Sequence, residues 1–403
     1  MAETRTPIDT DILISGGGVA GLTAAAAFGQ AGFTTICVDP TPPVTEEAAE
    51  GADMRSTAFL RPSREVLKAA GIWDRLLPYA APLQIMRIVD AGGESPTARL
   101  TRDFDAADLS DEPFGWNFPN WLLRRELVAA LADNPLVDFR PGIATTGLVT
   151  RESGAEVTLS DGTHVRARLV IGADGRNSFV REAAGLGVKT IRYGQKALAF
   201  AVTHPIPHDN VSTEIHRSGG PFTLVPLPDR DGKPSSAIVW MERAAEAERL
   251  AALPTEAFEA AIMERSTGLL GPLKLATRRA VWPMMTQIAD RFSGQRVALI
   301  AEAAHVIPPI GAQGLNMSLA DLACLLKLAE EDPVHIGEAK MLDAYHRRRW
   351  PEVKAREVGI DLLNRASMVE AQPLRDLRAG VLGALYSLGP VRKTLMKAGL
   401  GVR

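Results

Sequence analysis

Gly16, Gly18 and Gly21 stand in the spacing Gly-x-Gly-x-x-Gly, and an acid, Asp39, ends the next apolar run. The chemistry such a set can perform is the cradling of a dinucleotide pyrophosphate. Gly16 allows a tight turn, Gly18 lets the backbone come close to phosphate oxygens, and Gly21 lets a helix pack tightly on a strand. Val19 and Ala20 fall in the first helical turn, where free N–H groups point at the phosphates. A carboxylate at Asp39 can accept both ribose hydroxyls of an adenosine. The spacing alone leaves NAD and FAD both open.

Those residues need a strand, a helix and a second strand to position them. The run Ile12-Leu13-Ile14 enters the glycine turn, an alanine-rich stretch continues as a helix to Gln30, and Thr34 to Val38 deliver Asp39 to the carboxyl edge of a sheet. The unit recurs only in fragments, near residues 170 and 300. Between them, the residues 198–203, 222–226 and 236–241 predict strands of an antiparallel sheet covered by a helix over 255–264. Helices are predicted over 61–70, stopped by Gly71, and over 121–134; strands are predicted over 83–89 and 98–102. Residues 156–160 and 164–171 form a hairpin through Asp161-Gly162, and 296–301 return as a buried strand. From Leu315 onward the pattern is helical, with Pro351 and Pro373 as breaks.

A chain of 403 residues with 46% hydrophobic and 23% charged residues has the make-up of an ordinary globular protein with room for two domains. Its net charge of -3, with no basic stripe interleaved with aromatics, excludes nucleic acid as an expected partner. Two cysteines, Cys37 and Cys324, allow neither a disulfide framework nor a cysteine metal site, and no metal is expected. Residues 1–10 are polar and lack the apolar core of a signal peptide, so a cytoplasmic protein is expected.

Two more segments complete the constellation. Leu169 to Gly172 lead into Ala173-Asp174-Gly175-Arg176-Asn177-Ser178, with Arg181 beyond, and Ala301-Glu302-Ala303-Ala304-His305 lead to Pro308-Pro309-Ile310-Gly311-Ala312-Gln313-Gly314-Leu315-Asn316. With the glycine turn and Asp39, these three motifs make the chain resemble the class A flavoprotein monooxygenases, and within them the ubiquinone-biosynthesis hydroxylases. The resemblance covers residues from about 11 to about 359. It implies an α/β fold in which an FAD-binding, Rossmann-like domain of the para-hydroxybenzoate hydroxylase kind is interrupted by an antiparallel-sheet substrate domain. The FAD-binding parts would be 1–75, 115–184 and 286–360, the substrate parts 76–114 and 185–285, and 361–403 a C-terminal helical segment.

Carried onto this chain, the resemblance places Arg55 over the pyrophosphate near the flavin, Asn120 as a polar contact to the cofactor, Asp174 beside the pyrophosphate and Glu302 on the ribityl chain. Pro309, Gly311, Gln313, Gly314, Leu315 and Asn316 would open a long helix whose positive end faces the flavin N1–C2=O region. His305 is read as a structural hydrogen-bonding residue, and no catalytic base is assigned. The implied activity is reduction of FAD by transiently bound NAD(P)H or another donor, reaction with O₂, and hydroxylation of a phenolic or polyprenylphenol ring by a flavin C4a-hydroperoxide. The alternatives are hydroxylation of a small soluble aromatic, an isoprenoid reductase on the same fold, and a non-catalytic accessory subunit. Residues 374–403, basic and amphipathic, are read either as a helix packed on the protein with its charges in water, the reading preferred on general frequency, or as a contact with an anionic membrane surface at its inner face or a biosynthetic complex.

The chain departs from the family where Ala301-Glu302 replaces the usual Gly-Asp. Glu302 is one methylene longer than the usual acid, and alanine adopts positive φ less readily than glycine. The variant Glu302→Asp is expected to tighten FAD binding; a dissociation constant that stays the same or rises, measured by flavin fluorescence titration, would remove this reading.

Overall fold

Strand β1 (Ile8–Ser15), helix α1 (Val19–Gln30) and strand β2 (Thr35–Asp39) form the expected unit in the computed structural model. The structure describes residues 7–368 except 94, 96 and 218, together with 393, 394 and 396. β1 runs parallel to β2 on one side and to β11 (His164–Gly172) on the other, with Ile14 opposite Cys37 and Ile171. β8 (Val137–Pro141) extends the parallel set beyond β2, and β19 (Val297–Leu299) extends it beyond β11, with β18 (Ser293–Gly294) at that edge. Ile12 to Ile14 and Leu169 to Ile171 have no exposed surface, as strands covered on both faces require. β9 (Thr145–Arg151) and β10 (Gly154–Leu159) add antiparallel strands to the start of β11, and Gly162 turns the β10–β11 hairpin at φ +81°.

The carboxyl ends of β1, β11 and β19 lie side by side, because the register sets Ser15 against Gly172 and Gly172 against Leu299. The three sequence motifs begin at those ends. After β19 the chain turns through α8 (Ala301–Ala304) and β20 (His305–Val306) into α9 (Gln313–Glu331), and then into α10 (Ala339–Ser367).

The interrupting sheet is built from β20, β17 (Ala280–Ala289), β12 (Val188–Thr203), β15 (Lys233–Arg243), β14 (Pro221–Arg230), β13 (Val211–His216), β5 (Ile85–Asp90) and β6 (Leu100–Asp105) in that order, with β16 (Lys274–Leu275) beside β12. Period-two alternation gives it two unlike faces. Phe200, Phe222 and Trp240 pack with Phe258 of α7 (Thr255–Arg265), next to α6 (Ala244–Ala252), while Ala199, Val225 and Ala237 look toward the nucleotide half. A small sheet of β3 (Ser56–Leu60), β7 (Gly115–Pro119) and β4 (Ala81–Leu83) joins the halves, near α2 (Arg61–Ala69), α3 (Trp73–Leu76) and α4 (Asn120–Ala132).

Several expected elements differ. The strand expected over 83–89 is two strands in different sheets, because Gln84 leaves one ladder and its N–H donates to Asn210 O at 2.9 Å. The sheet contains one parallel pairing, β13 with β5, alongside its antiparallel ones. The strand expected over 296–301 is confined to Val297–Leu299, since Arg296 and Ala301 take φ of +57° and +56°. Pro351 does not break a helix. It lies on the exposed side of α10, one turn after the exposed Arg347, so the carbonyl that loses its N–H donor can be hydrated while the buried face of Tyr345, Arg349 and Val353 continues. The boundary expected at 360/361 therefore falls within α10. Pro373 and most of the basic stretch lie outside the described residues; Met396 is buried against Ala106 and Phe114.

Candidate active site

A cavity of about 590 Å³ opens between the two halves. It is lined by Gly18, Val19, Ala20 and Gly21 from the first motif, by Ala173, Gly175 and Arg176 from the second, and by Glu302, Pro309, Gly311, Gln313, Gly314 and Leu315 from the third. Arg55 and Asn120 complete that side. The glycines divide the labour by local geometry. Gly16 has φ +116°, and a Cβ there would meet Ala173 O at 2.3 Å; a Cβ on Gly21 would meet Gly16 O at 1.9 Å. No atom lies within 4 Å of a Cβ placed on Gly18, which faces the cavity instead. α1 and α9 both begin on this cavity, so the free N–H groups of two helix N-termini converge there.

Arg55 is held by Asp53, whose two oxygens accept from its Nε and Nη2 at 2.8 and 2.7 Å, and its guanidinium sits 4.4 Å over the ring of Trp282. Asn120 donates to Asp53 at 3.0 Å and accepts from Thr57 at 2.7 Å, and Arg124 stands 3.7 Å from Asp53. Burial pushes the Asp53 carboxyl up, but the hydrogen bonds and charge of Arg55, with Asn120 and Arg124, outweigh it and hold the group below the usual carboxylate range. Glu302 pairs with Arg176 Nε at 3.3 Å, which its extra methylene reaches. Ala301 and Ala312, at the two ends of this segment, hold left-handed φ of +56° and +55°, a strain on the order of 1 kcal/mol each without glycine.

Four expected contacts are not in the cavity wall. Asp39 accepts from Gly17 N at 2.5 Å and Thr41 N at 2.7 Å, which ties the end of β2 to the glycine turn and leaves one acceptor site on each oxygen. Gly16 lies behind the turn that it makes. The Asp174 carboxylate accepts from Ser178 Oγ and from Val180 N at 3.0 Å; it organises the start of α5 (Phe179–Ala183) and so places Gly175 and Arg176. Asn316 is saturated, accepting from Leu60 N and Ser63 Oγ and donating to Ala58 O and Ala312 O at 2.6–2.8 Å. Its side chain clamps α9 to β3, an arrangement that sequence spacing does not reveal. His305 is buried with Nε2 2.6 Å from Asp321, and it also lines the cavity. Asp53 and Trp282 were missed, although Asp53 stands two residues before Arg55; Arg176 was quoted within the second motif but not read as the partner of Glu302.

A cleft of about 620 Å³ elsewhere, between Glu152, Arg296 and Asp343, contains none of the motif residues; Arg291 there pairs with Asp343 at 2.9 Å.

The model of the family described as FAD binding domain matches residues 9–357. The chain belongs to the FAD-dependent aromatic monooxygenases. The monooxygenase is 34% identical over 394 residues to ubiquinone hydroxylase UbiL of Rhodospirillum rubrum, across 97% of this chain and 89% of that protein. It is 28% identical over 397 residues to 3-demethoxyubiquinol 3-hydroxylase of Escherichia coli, across 98% and 99%. Its fold matches the crystal structure of p-nitrophenol 4-monooxygenase PnpA from Pseudomonas putida with a TM-score of 0.79 at 19% identity, over 99% of this chain and 100% of that one. FAD is thus the cofactor of the monooxygenase, and the cavity fits it: Gly18 leaves the space that a Cβ would fill, and the two helix N-termini and Arg55 would offer donors to a diphosphate.

Proposed function

We propose that this monooxygenase hydroxylates a polyprenylated phenolic ring in ubiquinone biosynthesis. The observation that carries the reading is a continuous cavity whose one wall holds the FAD motifs and whose other wall is largely apolar, with Leu83, Ile85, Met86, Phe114, Val225 and Met284. The curated names of the hydroxylases it matches across nearly its full length support the same substrate class. Bound FAD, once reduced by NAD(P)H or another donor, supplies activation of O₂ for transfer of one oxygen atom to the ring. The chain's own residues do the rest. Arg55 and the start of α1 orient the diphosphate, the start of α9 offers positive partial charge, and the apolar wall excludes water.

Such a substrate resides in a bilayer. Among the described residues no helix is long and apolar enough to cross one, so access would be from a membrane surface or a partner complex. The basic stretch 374–403 is the contact we propose; of its described residues Lys393 is exposed, and Met396 is buried beside Phe114, which also lines the cavity.

The purified protein is expected to carry a flavin absorbance spectrum and, with NAD(P)H and O₂, to convert a short-chain 2-prenylphenol to a product one oxygen heavier. A colourless protein that takes up no added FAD, or a higher kcat/KM for a small soluble phenol than for the prenylated one, would overturn the proposal.

A further inference from the structure

Of the aromatic side chains that line the cavity, Phe114, Phe200 and His305 are buried, whereas Trp282 is 36% exposed. Its place follows from its strand. On β17, Val281 packs into the cluster of Phe200, Phe222 and Phe258, so alternation turns the next side chain to the opposite face, toward the nucleotide half. There the indole meets Arg55, which comes from the loop ahead of β3, with the guanidinium carbon 4.4 Å from the ring centre. Trp282 thus brings the interrupting half to the arginine that faces the cofactor space.

The two partners of Arg55 restrain different motions. Asp53 accepts from Nε and Nη2 at 2.8 and 2.7 Å, which fixes one edge of the guanidinium but lets its plane hinge about that edge. A ring face against the guanidinium carbon blocks the hinge. The other three N–H donors, both on Nη1 and one on Nη2, have no acceptor among the described residues, and Arg55 lines the cavity. These are the donors that an incoming diphosphate can use.

We propose that Trp282 is a positioning residue for the cofactor: by backing Arg55 it pre-orients the free N–H groups for the FAD diphosphate, so that the interrupting half shares in holding FAD. The gain is entropic. An arginine left to swing must be immobilised as the ligand binds, which weakens affinity on the order of two- to tenfold. Two further ties join the same loop to the interrupting sheet, Arg230 Nη1 to Glu47 Oε1 at 2.6 Å and Arg278 Nη2 to Ala52 O, and they make simple loop closure the competing account.

The test uses the full-length protein loaded with saturating FAD, then diluted, with released flavin read by its fluorescence to give the dissociation constant; thermal melting is recorded alongside. Trp282→Leu is expected to hold FAD about fivefold more weakly. Trp282→Phe keeps a ring face and is expected to stay within about twofold of the wild type. In an Arg55→Ala background, Trp282→Leu is expected to cause no further loss. Glu47→Ala cuts a loop tie without touching Arg55, and its constant is expected to stay within about twofold. The assignment is overturned by an unchanged constant in Trp282→Leu, an equal loss in Trp282→Phe, a further loss in the Arg55→Ala background, or a loss in Glu47→Ala as large as in Trp282→Leu. If Trp282→Leu fails to fold, Trp282→Met removes the ring from the same part-exposed position and is read by the same comparisons.

Discussion

Replacing Asp321 with alanine is expected to destabilise the protein by about 3–5 kcal/mol, the usual result of removing one partner from a buried charge pair. Asp321 has no exposed surface. One of its oxygens accepts from Arg349 Nε at 2.7 Å and the other lies 2.6 Å from His305 Nε2, so a single carboxylate joins α9, α10 and the strand that follows α8. Without it the Arg349 guanidinium stays 5% exposed with Glu352, itself partly in water, as its remaining acidic partner among the described residues. The loss would be felt at the cofactor. His305 begins the turn to Pro309 and Gln313, and the strained Ala301 and Ala312 bracket that turn and need surroundings that hold them. Thermal melting should drop by several degrees or more, with FAD affinity falling alongside, and Asp321→Asn should lie between the variant and the wild type because it keeps hydrogen-bonding capacity but not charge. An Asp321→Ala protein that melts with the wild type would show that the network contributes little.

The second large effect is expected at the glycine turn, where two glycines three residues apart should respond in different ways. A methyl on Gly21 would sit 1.9 Å from Gly16 O, backbone against backbone, with Ala173 Cβ behind it at 3.4 Å. The helix must then lift from β1, so Gly21→Ala is expected to lose roughly 1–3 kcal/mol or more by overpacking and to emerge without flavin. The same methyl on Gly18 meets no protein atom within 4 Å. Gly18→Ala should melt like the wild-type apoprotein yet bind FAD far more weakly, because the methyl enters the ligand's space. Flavin content after purification and melting of the apoprotein separate the two. If both variants lose stability equally, Gly18 is a folding residue and not a ligand-facing one.

Much of this site was legible because its signals are local. A strand entering a glycine turn and leaving as a helix is written within a few consecutive residues, and so is the hairpin at Asp161-Gly162. The roles of Asp174 and Asn316 were read differently, as cofactor contacts, because both sit inside the right motifs. Their partners, Val180 and Ser178 in one case and Leu60, Ser63 and Ala58 in the other, show that they hold the motifs in shape. Pro351 was read as a break because proline removes an N–H; that the affected carbonyl lies on the watered side of α10 depends on how the helix packs.

The amino-acid sequence by itself determined that a dinucleotide cradle exists, which glycines make it and which three segments must meet, since backbone sterics and residue spacing act over short stretches of chain. Only the tertiary structure decided which polar groups are consumed in building that cradle and which, like the buried Asn117 oxygen, keep no partner among the described residues. The physical reason is that the pairing of a buried polar atom depends on strands far apart in sequence, here β7 and β14, and on the burial that denies it water.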